Sequence, residues 1–212
     1  WNFIKKAFTA VILLLLLIVL VFLIPKVQSY YGNKFASTFN NTYNTNIKVS
    51  GLSINYKGKI VLNDLLLKDD YNDTIIYTKS LSTSLINLAN ISGKYLHFSN
   101  TELDQLKFKL KHYKDENTDE FTKFIDKLND TTVNSKQAFQ LKINSVLAFD
   151  SEFIIENKNI SDTSIFFIDN LDFNISNFWL KGPDLDFKLR KLSGILKQGI
   201  LVEDLSTDFS YT

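Results

Sequence analysis

Apolar residues follow three successive rhythms along this chain. The first is unbroken. From Ala7 to Ile24 the only polar side chain is Thr9, and no residue is charged. A helix here has no wet face, and its length of about 27 Å comes close to the ~30 Å hydrocarbon core of a bilayer. A secretory signal has a shorter apolar region, about 7–15 residues. The nearest small-residue cleavage motif, Val27-Gln28-Ser29, lies beyond Pro25 and Lys26. The run therefore predicts an uncleaved transmembrane anchor over residues 1–26. Lys5 and Lys6 precede it, which places the N-terminus in the cytoplasm and the rest of the chain outside it.

The second rhythm has period four. Tyr31, Phe35, Phe39 and Tyr43 form one aromatic stripe, interleaved with Asn, Lys, Ser and Thr. This predicts an amphipathic helix over residues 27–44. The stripe suits packing on the following domain, and it also suits a helix at the membrane surface, where Tyr is favoured.

The third rhythm has period two and governs residues 45–212. Ile47 and Val49, then Leu52, Ile54 and Tyr56, read as half-buried strands. Lys57-Gly58-Lys59 is a turn, Ile60 and Leu62 begin the return strand, and "DDYND" is the next turn. Later segments repeat the alternation: Leu106, Phe108 and Leu110; Phe139, Leu141 and Ile143; Leu171, Phe173 and Ile175; Leu185, Phe187 and Leu189. Charged or polar residues separate them. The expected fold is mainly β, a long antiparallel meander with one apolar and one wet face. A closed sandwich or barrel-like module satisfies the same alternation. One short helix interrupts the strands: Phe121, Phe124, Ile125 and Leu128 keep helical spacing, with Asn117 as the expected N-cap.

Composition narrows the function. The net charge of +1 gives no electrostatic case for nucleic acid. With no cysteine, thiol catalysis, iron–sulfur clusters and Cys-type zinc sites are excluded. Methionine is absent, and "LVEDLSTDFSYT" stops inside a strand-like pattern, so an N-terminal piece of a longer protein is expected. His97 and His112 lack ligands at metal spacing, and Asp69, Asp70 and Asp73 sit in a turn without the oxygen pattern of a calcium loop. No glycine-rich phosphate loop or nucleophile elbow occurs. The residues point to no catalytic group, metal or cofactor, and the chain reads as a non-enzyme.

Gly58 with Ile60-Val61-Leu62, then Asp64-Leu65-Leu66-Leu67-Lys68-Asp69, and the later "KGPDLDFKLRKLSGILKQGILVEDLSTDFSY" follow an anchor and an amphipathic helix. This order resembles the N-terminal region of TamB-like proteins, within the AsmA-like group of bridge-like lipid-transfer proteins. The resemblance covers most of the chain and implies a curved antiparallel sheet forming an open apolar groove, a β-taco. It implies a bacterial inner-membrane anchor with the bulk in the periplasm, and phospholipid as the cargo moved towards the outer membrane. An Omp85-type outer-membrane barrel is the implied protein partner, and an assembly factor that docks such a barrel without carrying lipid is the alternative. The twelve Leu, Phe and Ile positions above are the expected groove lining. Such a groove needs no catalyst, since shielding acyl chains from water is worth ~0.8 kcal/mol per CH₂.

Overall fold

The computed structural model describes residues 24–211 except 56, 85, 87–94, 130–138, 162, 163 and 183. The expected anchor lies almost wholly outside the described residues, and among these no helix is long and apolar enough to cross a membrane.

Helix α1 (Pro25–Tyr43) starts with proline, whose fixed φ and missing N–H suit a first helical position. It ends at Asn44, left-handed at φ 50, whose N–H donates to the Asn40 carbonyl. Strands β1 (Asn46–Lys48), β2 (Gly51–Ile54), β3 (Lys59–Lys68), β4 (Thr74–Ser84) and β5 (Tyr95–His112) follow. Helix α2 (Glu120–Asn129) precedes β6 (Gln140–Asn157), β7 (Ser164–Lys181), β8 (Asp184–Leu196), β9 (Leu201–Val202) and β10 (Thr207–Tyr211). Gly58, at φ 77, makes the tight return into β3 where the sequence predicts it.

All ten strands belong to one sheet, in the order β1-β3-β4-β5-β6-β7-β8-β10, with β2 added on β3 and β9 on β8. Its two edges do not meet, so the sheet is open, and the described strands form no second facing layer. The pairing corrects the expected all-antiparallel meander at one seam: β5 and β6 are parallel, from Tyr95 beside Gln140 to His112 beside Asn157. Parallel neighbours need a long crossover, and residues 113–139, carrying α2, supply it.

One further reading is corrected, and one is refined. Helix α2 is capped by Asp119 rather than Asn117, the Asp119 Oδ1 accepting the Thr122 N–H at 2.9 Å. The aromatic stripe of α1 also divides: Phe39 and Tyr43 pack inward, whereas Tyr31 and Phe35 are exposed.

Helix α1 lies along the β1–β2 edge. Gly32 permits the approach, because a Cβ there would stand 2.8 Å from the Leu52 Cβ. Gln28 and Asn40 each present a side-chain amide to the backbone of the edge strands, at Ile54 and Ile47 respectively. The helix thus covers hydrogen-bonding groups that an exposed edge would offer to other chains.

Candidate functional site

Residues paired across neighbouring strands share a face, so the register traces the apolar surface row by row. One row runs Leu62, Leu81, Leu103, Ala148, Phe173 and Leu192. Another runs Leu67, Ile76, Phe108, Phe153, Ile168 and Leu196. Between them Leu106 pairs with Thr78, and Leu171 with Ser151. Ile175 pairs with Val146 and Leu189, and Leu110 with Ile155. Towards the other strand ends Ile143 meets Phe178, Leu141 meets Leu180, and Leu180 meets Leu185. Phe187 stacks on Phe178 with ring centroids 6.4 Å apart and on Phe209 at 4.8 Å.

Two bulge lines keep these rows on one face, one at Asp150 and one at Asn177 (φ 55), where Ile175 to Phe178 on β7 and Val146 to Ile143 on β6 both step by three. Leu171 and Phe173 stand two apart on β7, yet their partners Ser151 and Ala148 stand three apart on β6. The alternation is reset beside Asp150, which has φ 49. Asp64 at φ 47, Gln105 at φ 51 and Asn170 at φ 47 continue the first line across β3, β5 and β7. Two wholly buried hydroxyls serve the backbone beside it. Thr78 Oγ1 donates to the Asp104 carbonyl at 2.8 Å, and Ser151 Oγ accepts the Leu106 N–H at 3.2 Å. Without them, backbone groups beside the bulges would be buried and unpaired.

The bulges also bend the strands. Leu141 and Phe153 are twelve residues apart on β6, about 40 Å if the strand were straight. Helix α2, ten residues and so about 15 Å long, reaches both regions. Its Phe121 stands 5.0 Å from the Phe108 ring, which stands 5.5 Å from the Phe153 ring. Its Ile125 and Leu128 form a buried cluster with Phe139 and Leu180, against which Leu141 and Leu185 pack. One short helix thus meets apolar side chains near both strand ends, on the apolar face of the sheet.

Of the twelve residues expected to line a groove, only Phe139 and Leu171 are buried, at 6% and 4% exposure. The other ten are half-buried. They fall into two groups. Phe139, Leu141 and Leu185 join the dry cluster under α2, with Phe39 and Tyr43 of α1 added, and Phe108 lies against Phe121. Leu106, Leu110, Ile143, Leu171, Phe173, Ile175, Phe187 and Leu189 lie outside that cluster. Among the described residues the helices cover the apolar face at one place and not towards β8 and β10, where Leu201 and Phe209 are exposed.

The opposite face is wet. Lys59–Glu102 and Lys107–Glu152 form ion pairs there at 3.3 and 3.0 Å. At one strand end a polar network holds α2 in place. Tyr113 donates to both Asp69 and Asp73, Lys111 donates to Asp73, Lys127 to Asp70, and Lys123 to both Glu116 and Glu120. Hydrogen bonds from Lys111 and Tyr113 hold the Asp73 carboxyl below its usual range. Burial raises the Glu120 carboxyl, against the pull of Lys123, and burial with its two carboxylate acceptors raises the Tyr113 phenol. The acidic turn is thus engaged with lysines and tyrosine, and among the described residues no three acidic or histidine side chains form a metal-binding group. His97 Nε2 lies 2.9 Å from Asn144 Oδ1, far along β5 from His112.

The apolar face includes residues that the sequence pattern does not single out: Leu103, Val146, Ala148, Phe153, Ile168 and Leu192. A legible signal existed. Apolar residues on β5 step by three, from Leu103 to Leu106, beside Ala148 and the buried Ser151 on β6, and such a step marks a bulge. Neither the models of protein families nor the curated proteins contain a match to this sequence.

Proposed function

We propose that this chain is the membrane-proximal part of a TamB-like lipid conduit. An inner-membrane anchor precedes α1, and the apolar face of the sheet forms a trough that receives phospholipid acyl chains on their way to the outer membrane. The carrying observation is the half-exposed apolar face of a single open sheet. A packed sandwich would bury those side chains in a second layer, whereas seven of the eight outside the cluster under α2 are only half-buried. An acyl chain laid along Phe173, Ile175 and Leu189 would remove that surface from water at about 25 cal/mol per Å². Among the described residues the apolar face offers side-chain hydroxyls and backbone but no cluster of acidic or histidine side chains, which suits carriage rather than chemistry.

The plugged region supports a second reading. Where α2 and α1 cover Phe139 and Leu180, the fold is a dry core able to serve a tethered module that docks a protein such as an Omp85-type barrel. A photo-crosslinker separates the two. At Phe173 it is expected to capture phospholipid, and at Asp172, exposed and paired with Ser193 on the other face, it is not. Capture of protein alone at Phe173 would overturn the conduit.

A further inference from the structure

We propose that the N-terminal half of α1 seats obliquely in an anionic phospholipid surface and so sets the angle of the trough to the membrane. The inference rests on the tethered reading above and adds an orientation to it. At 100° per residue, Lys26, Tyr30, Tyr31, Lys34 and Phe35 occupy one half of the helix circumference. Gln28, Ala36, Phe39 and Tyr43 occupy the other half, which packs on the protein. On the outward half, Tyr30, Tyr31 and Phe35 are 63%, 49% and 50% exposed.

Chemistry changes along that outward face. Its first turns carry aromatic rings and lysines, whereas its last turns carry Ser37, Thr38, Asn41 and Thr42, all exposed. A water-facing helix has no reason to collect its large apolar side chains at one end. A protein partner would equally fit aromatic rings, but three features favour lipid. The aromatic end adjoins the uncharged run that closes at Ile24. The only charges on α1 are Lys26 and Lys34, with no acid among them, which matches a layer of phosphates. Tyrosine, with an apolar ring and a polar tip, is favoured at the membrane–water boundary. Pro25 to Phe35 covers about 15 Å of helix, more than the roughly 5–8 Å depth of one headgroup layer, so the helix lies at a shallow angle.

The chain has no cysteine, so single labels are clean. The full chain is reconstituted in vesicles of phosphatidylethanolamine and phosphatidylglycerol, with an environment-sensitive dye at Tyr30→Cys, Lys34→Cys, Thr38→Cys or Thr42→Cys. Quenching by a nitroxide-bearing lipid is expected to be strongest at position 30 and to fall turn by turn, with aqueous iodide giving the reverse order. Replacing phosphatidylglycerol by phosphatidylcholine should make the position-30 label, which keeps both lysines, shallower, and an unchanged depth would overturn the anionic preference. A Leu17→Cys label tests the anchor separately. Deep quenching there, with none at positions 30 and 34, would overturn the seating of α1 while leaving the tether intact. An aqueous label at Leu17 would overturn the tether itself, and the seating with it.

Discussion

Gln28 and Ile54 are joined by two hydrogen bonds through one side-chain amide. Gln28 Nε2 donates to the Ile54 carbonyl at 3.1 Å, and Gln28 Oε1 accepts the Ile54 N–H at 2.9 Å. Asn40 repeats the arrangement on Ile47 at 2.8 Å in both directions. An amide offers one donor and one acceptor side by side, as a neighbouring strand does. The two clamps let a helix stand where another strand would otherwise pair.

Gln28→Glu is expected to break that match, because a carboxylate cannot donate and would face the Ile54 carbonyl. Gln28 is only 7% exposed, so the orphaned groups have little water to turn to. A loss of about 1–3 kcal/mol is expected in denaturant titrations in detergent, with greater self-association through the uncovered edge. An unaltered midpoint would show that α1 is held by apolar contacts alone.

Acidic substitutions should divide the trough into two zones. Phe139→Asp lies in the dry cluster and is expected to unfold or detach the helices, and even Phe139→Ala should cost about 3–5 kcal/mol. Phe173→Asp faces the uncovered part and should cost only about 1–2 kcal/mol while impeding lipid passage. Equal destabilisation at the two positions, read by urea unfolding, would argue for a packed core throughout.

The bulge line through Asp150 predicts an unusual response to glycine. Gln105 adopts φ 51 inside β5, a conformation that costs a side-chain-bearing residue about 1–2 kcal/mol. Gln105→Gly should therefore be neutral or stabilising by up to about 1 kcal/mol, where glycine inside a regular strand weakens it. Gln105→Val should destabilise and straighten the strand, seen as lost contact between Phe108 and Phe121. The comparison is a thermal melt of the three proteins.

Acid should loosen the network beneath α2. Hydrogen bonds from Lys111 and Tyr113 depress the folded-state value of Asp73, so its contribution is present above the unfolded value of about 3.9 and is lost as pH falls through the folded one. Glu120 works in the other sense. Its raised value, caused mainly by burial, gives a contribution present below about 4.3 and lost as pH rises through the folded value. Melting temperatures of the native chain and of Asp73→Asn are expected to differ at neutral pH and to converge below about pH 4.

Much of the β region was legible because period two leaves little choice. The hairpin at Gly58, the turn at Asp69–Asp73, the strands with Leu106 or Phe173, and the helix with Phe121 and Leu128 all fall where the pattern puts them. The parallel seam was not legible, since alternation reads the same whichever way a neighbour runs. The cap of α2 falls two residues beyond the expected Asn117, because Asn117 and Asp119 have similar capping chemistry. The division of the groove depends on where α2 lands, and that is set by contacts between Leu128 and residues far along the chain. Its own sequence declares an apolar face without declaring what that face meets.

The parallel seam also bears on how the molecule assembles in time. The antiparallel neighbours are consecutive strands or, for β1–β3 and β8–β10, strands separated by only one short strand, so β1–β5 and β6–β10 can each zip up from local pairings. Joining the halves brings Tyr95 to Gln140, 140 − 95 = 45 positions apart in sequence. Closing so long a loop before any pairing reward is the slower event. Until it happens, each half presents a long unsatisfied strand, β5 on one and β6 on the other. Helix α2 lies in the connecting segment, where its packing on Phe139 and Leu180 can draw the two halves together.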